Sequence, residues 1–269
     1  MTDHPFDTAM TLEPAGEGAW RGQTSDDYWN MVGPFGGVVA ASLFRAALDD
    51  ARRQGDPVAL TINFCAALAK GEFDVTARPA RTNRSTQHWT MEMTQGGGGA
   101  VATATAMFGA RPDTYAHRTI SPPAVAGFDA LTRFTPNGLG WTQRYDFRFA
   151  EGAPEWNGDP ETPGATRSAL WIRNDPPRPL DFVGLVALCD IFFGRIIHLR
   201  KKMVPFGTVS MTAYFHATPD DLAAVGDAPI LGLADSRIFD RGFHDQSAEI
   251  WSADGRLLAT SHQVVYYRD

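Results

Sequence analysis

The sequence predicts an α+β protein built from two copies of one unit, and three observations carry that reading. Residues 180–199, LDFVGLVALCDIFFGRIIHL, are apolar on every face of a helix, as a helix buried in a large core must be. Short strand-like runs bounded by turn residues lie on both sides of it. The order hairpin, helix, strands occurs twice along the chain, with register kept between the occurrences.

The bulk numbers narrow the classes. With 269 residues, 43% hydrophobic and 11% aromatic, the chain can bury one large core or two of ordinary size. A net charge of −7 argues against a coat for nucleic acid or an anionic membrane, though a local basic patch for a phosphorylated small molecule is compatible with it. Residues 180–199 are long enough to span a bilayer, but Asp190 at their centre and Arg195 nearby fit lipid poorly, so membrane insertion is not expected. The two cysteines, Cys65 and Cys189, sit in apolar runs and read as buried thiols without a disulfide framework. The seven histidines show no metal-ligand spacing and no GxSxG elbow is present, so neither a metal, a cofactor nor a serine nucleophile is expected. The start, MTDHPFDTAM, lacks a basic n-region and an apolar h-region, which predicts a cytoplasmic protein.

Taken in order, residues 11–23 read as a hairpin around a Gly-containing turn. DDYWNMVGPFGG then leads into VVAASLFRAALDDARRQG, which has helical apolar spacing, late charges and a stop at Gly55. Strands are predicted over 58–67, 71–80, 86–95 and 100–109, with the four glycines at 96–99 as a hairpin turn; a phosphate loop should open a helix instead. Residues 111–135 lack periodicity, contain Pro122-Pro123 and read as a linker between an N-terminal unit (1–110) and a C-terminal one (136–269). Strand patterns resume at 141–149 and 167–173, around a Gly/Pro-rich excursion. The apolar helix and the runs VPFGTVSMTAYFHA, PILGLADSRIF, SAEIWSADG and RLLATSHQVVYYR close the chain.

Laying Gly36 on Gly184, 148 positions on, puts Phe44 on Phe192 and extends through the following strand. In this overlay Asp190 falls on Ser42 and Thr208 on Leu60; after a longer hairpin loop in the second copy, which sets Gly99 on Gly255, Gln263 falls on Met107. The second copy thus carries a carboxylate, a hydroxyl and an amide where the first has one small hydroxyl and two apolar groups. Ionising Asp190 in an apolar helix is costly unless polar partners meet it, and buried polar groups find one another. Together the three could hold a water and take its proton. Singly, a strand Thr or Gln is an ordinary solvent-facing residue, and a mid-helix Asp can simply bond a loop.

These residues resemble the acyl-CoA thioesterase II family over nearly the whole chain. The resemblance runs through WRGQ (20–23), PFGGVVAASL, WIR (171–173), LCD ending in Asp190, GTVSMTAYFH with Thr208, SRIFDRGF around Arg241 and Gly242, and DGRLLATSHQ with Gln263. It implies a tandem (double) hot-dog fold, each copy an antiparallel sheet wrapped around a long central helix, with the site between the copies. It implies acyl-CoA as substrate, a catalytic set Asp190, Thr208 and Gln263, and a possible dimer. Ser210-Met211 replace an acidic-histidyl pair of that family, Val38 replaces a Gln after the Gly pair, and the linker is shorter; these departures bear on substrate preference. The mechanism implied is hydrolysis by a water that Asp190 activates and Thr208 and Gln263 fix. The N-terminus of the first helix, Gly37 or Val38, would supply the oxyanion donor, and Arg241 or the run Arg200-Lys201-Lys202 would meet the anionic coenzyme. That run equally suits a helix C-terminus through its dipole. Two other readings compete: an acyl-CoA-binding protein without chemistry, and a hot-dog hydratase or dehydratase, which would want a His close to the Asp.

Overall fold

The computed structural model describes residues 4–136, 138–159 and 161–268. A one-turn helix α1 (Pro5–Ala9), capped by the His4 side chain, precedes the hairpin β1 (Leu12–Gly16) and β2 (Ala19–Gln23). Helix α2 (Gly36–Leu48) follows, then β3 (Asp56–Phe64), β4 (Glu72–Thr82), β5 (Thr86–Thr94) and β6 (Ala100–Gly109). The second half repeats the series: β7 (Tyr145–Glu151), β8 (Ser168–Asn174), α3 (Phe182–Leu188), α4 (Arg195–Arg200) and β9 (Phe206–Phe215). It continues with α5 (Pro219–Val225), β10 (Ile230–Asp235), the two-residue β11 (Phe239–Asp240), β12 (Phe243–Trp251) and β13 (Leu257–Tyr267). Helix α5, closed by a Thr218/Asp221 capping box behind Pro219, is an element whose sequence signal, TPDD, was there to be read.

The strands form one sheet in the order β1-β2-β4-β5-β6-β3-β9-β13-β12-β10-β8-β7, with β11 beside β12. Counted outward from the middle, the two halves have the same order, and β3 and β9 join them antiparallel. Thr61 faces Thr212 there, with their hydroxyls 3.0 Å apart. Alternation along β5 and β12 turns one side of the sheet to the helices and the other to solvent, as half-buried strands require. Phe44 of α2 packs on Phe108 of its own half and on Phe215 of the other, at 5.7 and 5.6 Å between ring centres, so the apolar core is continuous. Residues 111–127 lie along the second half: Arg118 sits over the Trp251 ring and Ala126 accepts from the Trp171 indole.

The structure corrects the internal register. β3 bulges at Val58 against β6, and β9 bulges at Val209 against β13. Cys65 and Ala66 both donate to the Val101 carbonyl, as His216 and Ala217 both donate to Leu258. These matched features relate the strands by 151 positions, the separation of Thr61 and Thr212. The overlay by 148 therefore slips by three along this strand. Thr208 corresponds to Pro57, and Gln263, facing Met211, corresponds to Ala106, facing Leu60. The contrast between the copies survives the change, since both counterparts lack a hydrogen-bonding side chain.

The long central helix of the second copy is also corrected. Residues 180–199 form α3 and α4 with a break at 189–194, whereas α2 runs unbroken for 13 residues. The Cys189 carbonyl, which a continuing helix would pair four residues on, accepts instead from Ser261 Oγ at 3.0 Å and Gln263 Nε2 at 3.3 Å. Beyond it, Phe192 and Phe193 turn into the core, and Gly194 restarts the helix against the Phe206 ring, where a Cβ would approach to 2.6 Å. Among the described residues no helix is long and apolar enough to cross a membrane. Cys65 is exposed, because β3 ends at Phe64 and leaves it on a loop, while Cys189 is buried as expected.

Truncating Phe44, which bridges the halves, is expected to cost about 3–5 kcal/mol of unfolding free energy. Urea unfolding of Phe44→Ala beside the wild type measures this, with one cooperative transition expected in both.

Candidate active site

The break in the helix places Asp190. Its carboxylate is turned away from solvent and towards the N-terminus of α2, where Gly36 and Gly37 stand in place of side chains. A Cβ on Gly36 would fall 2.6 Å from Asp190 Oδ2, and one on Gly37 would fall 2.5 Å from the Ala187 carbonyl. Only glycine lets the two helices approach this closely. Asp190 Oδ1 accepts from Gln263 Nε2 at 3.0 Å, and Gln263 Oε1 accepts from Thr208 Oγ1 at 3.0 Å. The amide orientation follows from its neighbours: Nε2 also faces the Cys189 carbonyl, which can only accept. The three predicted polar residues thus form one chain, Thr208 to Gln263 to Asp190.

Burial pushes the Asp190 carboxyl up to about 7, against the Gln263 amide and the Gly37 N–H, which favour the charged form. The single Thr208 proton goes to Gln263, so its hydroxyl has none left for the carboxylate. The Cys189 thiol beside it is held protonated by burial. On the far side of the break Arg195, itself buried and lowered to about 9 by desolvation, donates to the Phe193 carbonyl and to Ser168 Oγ. The break is therefore pinned at both ends.

Asp190 and Thr208 line a cleft of about 420 Å³. Its mouth is formed by exposed residues such as Val32, Cys65 and Met203, and its floor by the buried rings of Phe35, Trp141, Phe192 and Phe193. Gln263 does not line it; it lies behind the other two, with both ends of its amide engaged. Of the aromatic residues near the two helix starts, Phe192 and Phe193 line the cleft, whereas Tyr28 is buried elsewhere, between Phe6 and Tyr145, and Trp29 is not in the wall.

Other predicted residues are placed differently. The Gly37 N–H is directed at the Asp190 carboxylate, and the Val38 N–H donates to the Phe35 carbonyl, so both amides have partners. Gly36, the first residue of α2, carries an N–H that the helix cannot pair. Arg241 and Gly242 form the two-residue turn between β11 and β12, with φ of 48° and 80°; the Arg241 side chain is almost wholly exposed, 3.5 Å from Asp240, and neither residue lines the cleft. Lys201 ends α4 in a left-handed conformation and pairs with Glu155 at 3.6 Å, which accounts for it as a helix terminus. Among the described residues no group of three or more His, Cys, Asp or Glu is arranged to hold a metal ion. Ser261 is the residue that sequence reasoning missed; its signal was weak, a buried hydroxyl two positions before Gln263 on the same face of β13.

Comparison with known proteins decides the family. The model of the acyl-CoA thioesterase C-terminal domain matches residues 120–267, and that of the N-terminal domain matches residues 25–109. The chain belongs to the acyl-CoA thioesterase family. It is a thioester hydrolase with a hot-dog fold. A hot-dog protein of unknown function from Alicyclobacillus acidocaldarius is 41% identical, with 100% of this chain and 99% of that one covered and a TM-score of 0.94. The acyl-CoA thioesterase II TesB2 from Mycobacterium marinum is 18% identical, with 98% of each chain covered and a TM-score of 0.78. No functionally curated protein matches the chain.

For this thioesterase the buried carboxylate has a cost in stability. An unfolded carboxyl titrates near 3.8 and the folded one near 7, so ionisation disfavours folding increasingly between about pH 4 and 7 and constantly above. The whole effect is on the order of 4 kcal/mol. Asp190→Asn is accordingly expected to melt several degrees above the wild type at pH 8, with the difference vanishing below about pH 4. Calorimetry across that range measures it, and an Asn variant that melts lower at pH 8 would contradict the assigned cost.

Proposed function

We propose that the protein hydrolyses acyl-CoA with Asp190 as general base, Thr208 as the second contact of the attacking water, and Gln263 as the residue that positions both. The observation that carries this is the direction of the hydrogen-bond chain. Thr208 spends its proton on Gln263, so towards the cleft its oxygen can only accept. An ionised Asp190 also only accepts. A water between them donates one hydrogen to each, which leaves a lone pair aimed into the cleft at the thioester carbon.

Asp190 takes the proton as the water adds to the carbonyl. The oxyanion so formed lies at the N-terminus of α2, where the unpaired Gly36 N–H and the positive end of the helix dipole meet it. Collapse of the intermediate breaks the carbon–sulfur bond, and the proton on Asp190 goes to the departing thiolate. The products are the free acid and the CoA thiol. A carboxyl near 7 suits this double duty, being basic enough to take the proton and acidic enough to return it at neutral pH. A hydratase reading finds no support, since no histidine is among the cleft residues.

Thiol release from acyl-CoA is expected in the wild type, rising with pH through a single ionisation near 7 to a plateau, and reduced about a hundredfold or more in Asp190→Asn. An Asn variant with undiminished turnover means another group is the base. Because the Gln263 amide lowers the Asp190 pKa, Gln263→Leu is expected to move the midpoint of the pH profile upward as well as to slow turnover. A variant that is slower with an unmoved midpoint would leave Gln263 with a packing role only.

A further inference from the structure

We infer that the acyl group this cleft accepts is compact, a single aromatic ring or a short chain, and that long unbranched chains are excluded. The inference rests on the reading of Asp190 and Thr208 as the reacting pair, which fixes where the thioester lies and therefore which part of the cleft holds the acyl group.

The exposed mouth takes the thiol arm, so the acyl group points past Asp190 towards the floor. Phe35 and Trp141 stack there at 4.6 Å and 11°, and Trp141 meets Phe193 at 5.7 Å. Phe193 cannot swing aside easily. Its ring touches Phe134, Phe147, Phe149 and Trp156 as well, at centroid distances of 5.9, 5.6, 6.2 and 5.9 Å, and Arg195 holds its carbonyl. The other direction open to a chain runs along α2, past Val39. The space beyond, among Met10, Phe73 and Met93, is about 20 Å³, room for about one water and not for a chain.

Size then decides. A cavity of about 150 Å³ takes one benzene ring, so on the same scale a chain of sixteen carbons needs about 400 Å³ for itself. The whole cleft offers about 420 Å³ and must also hold the thioester and the end of the thiol arm. A ring or a chain of about six carbons fits in what remains. Between these two, the aromatic floor favours the ring, because offset and edge-to-face contacts add to simple burial.

The test compares phenylacetyl-, hexanoyl- and palmitoyl-CoA, by thiol release with wild type and by calorimetric binding to Asp190→Asn, which keeps the cleft without the chemistry. Phenylacetyl- and hexanoyl-CoA are expected to exceed palmitoyl-CoA about a hundredfold in kcat/KM, with binding in the same order. Palmitoyl-CoA turned over or bound as well as the compact substrates overturns the inference. Absence of turnover with all three, while the binding order holds, would instead strike the assignment of Asp190 and leave the shape of the cleft standing. Trp141→Ala, which opens the floor, is expected to narrow the preference against palmitoyl-CoA at least tenfold and to move the pH midpoint downward as water reaches Asp190; Phe35→Leu serves the same purpose if that variant folds poorly. A floor variant that folds and keeps the full preference would also overturn the inference.

Discussion

Everything about the site depends on where one carbonyl goes. A helix that continued through Cys189 would spend this carbonyl on its own backbone and carry Asp190 round with the helix face. Here Ser261 and Gln263, reaching from β13, take the carbonyl first. The chain can then leave the helix, and the residue after the captured carbonyl turns its carboxylate to the glycine-lined end of α2. The same Gln263 amide that holds the carbonyl also holds the carboxylate, so the break and the site are one arrangement. An amide serving two acceptors with one nitrogen fixes their separation, and this gives the acid a defined position rather than merely a buried one.

The duplication explains why only one such site is built. Both halves place a strand pair at the same point with the same bulge, and both could have presented side chains to a helix break. In the first half the counterparts of Thr208 and Gln263 are Pro57 and Ala106, with no acceptor or donor to offer. Neither counterpart can compete for a carbonyl of helix α2, which runs unbroken. It contributes instead its beginning: two glycines that allow contact with the turn at Asp190, and N–H groups without intrahelical partners. One copy supplies the reactive side chains and the other the electropositive helix end, and each needs the other's surface to be complete.

Much of this was legible in the residues, and the misses have physical causes. The hairpin, α2 and most strands follow from apolar periodicity and turn residues, and Asp190 was conspicuous as a carboxylate in a run that has no place for one. The break at 189–194 was not legible, because Phe192, Phe193, Ile196 and Ile197 keep the helical apolar spacing and the cause of the break lies some seventy positions away, on β13. The slipped register arose ahead of the strand: counted from the glycines that anchor the overlay, the second half has three more residues before its bulge (Gly184 to Val209) than the first (Gly36 to Val58), and an insertion there leaves the strand's own pattern unchanged. Arg241 and Gly242 drew attention as a motif, yet a positive φ at both positions makes them a hairpin turn, a local need that a functional guess easily overlooks. Cys65 looked buried by its neighbours and is not, since alternation ends where its strand does.

The rigidity of the floor and the softness of the acid belong together. A carboxyl raised to about 7 by desolvation works as a base only while water stays out of its surroundings, since a better hydrated Asp190 would fall back towards an ordinary, weakly basic carboxylate. The rings of Phe35, Trp141 and Phe193 keep that surrounding dry from one side and α2 and β13 from two others, so that water reaches Asp190 only through the cleft. A flexible hydrophobic tunnel, able to open for chains of any length, would admit water whenever it was empty. The packed aromatic wall gives up that range of substrates and keeps the Asp190 environment constant between turnovers. Selectivity for a compact acyl group is, on this argument, a consequence of keeping the base desolvated.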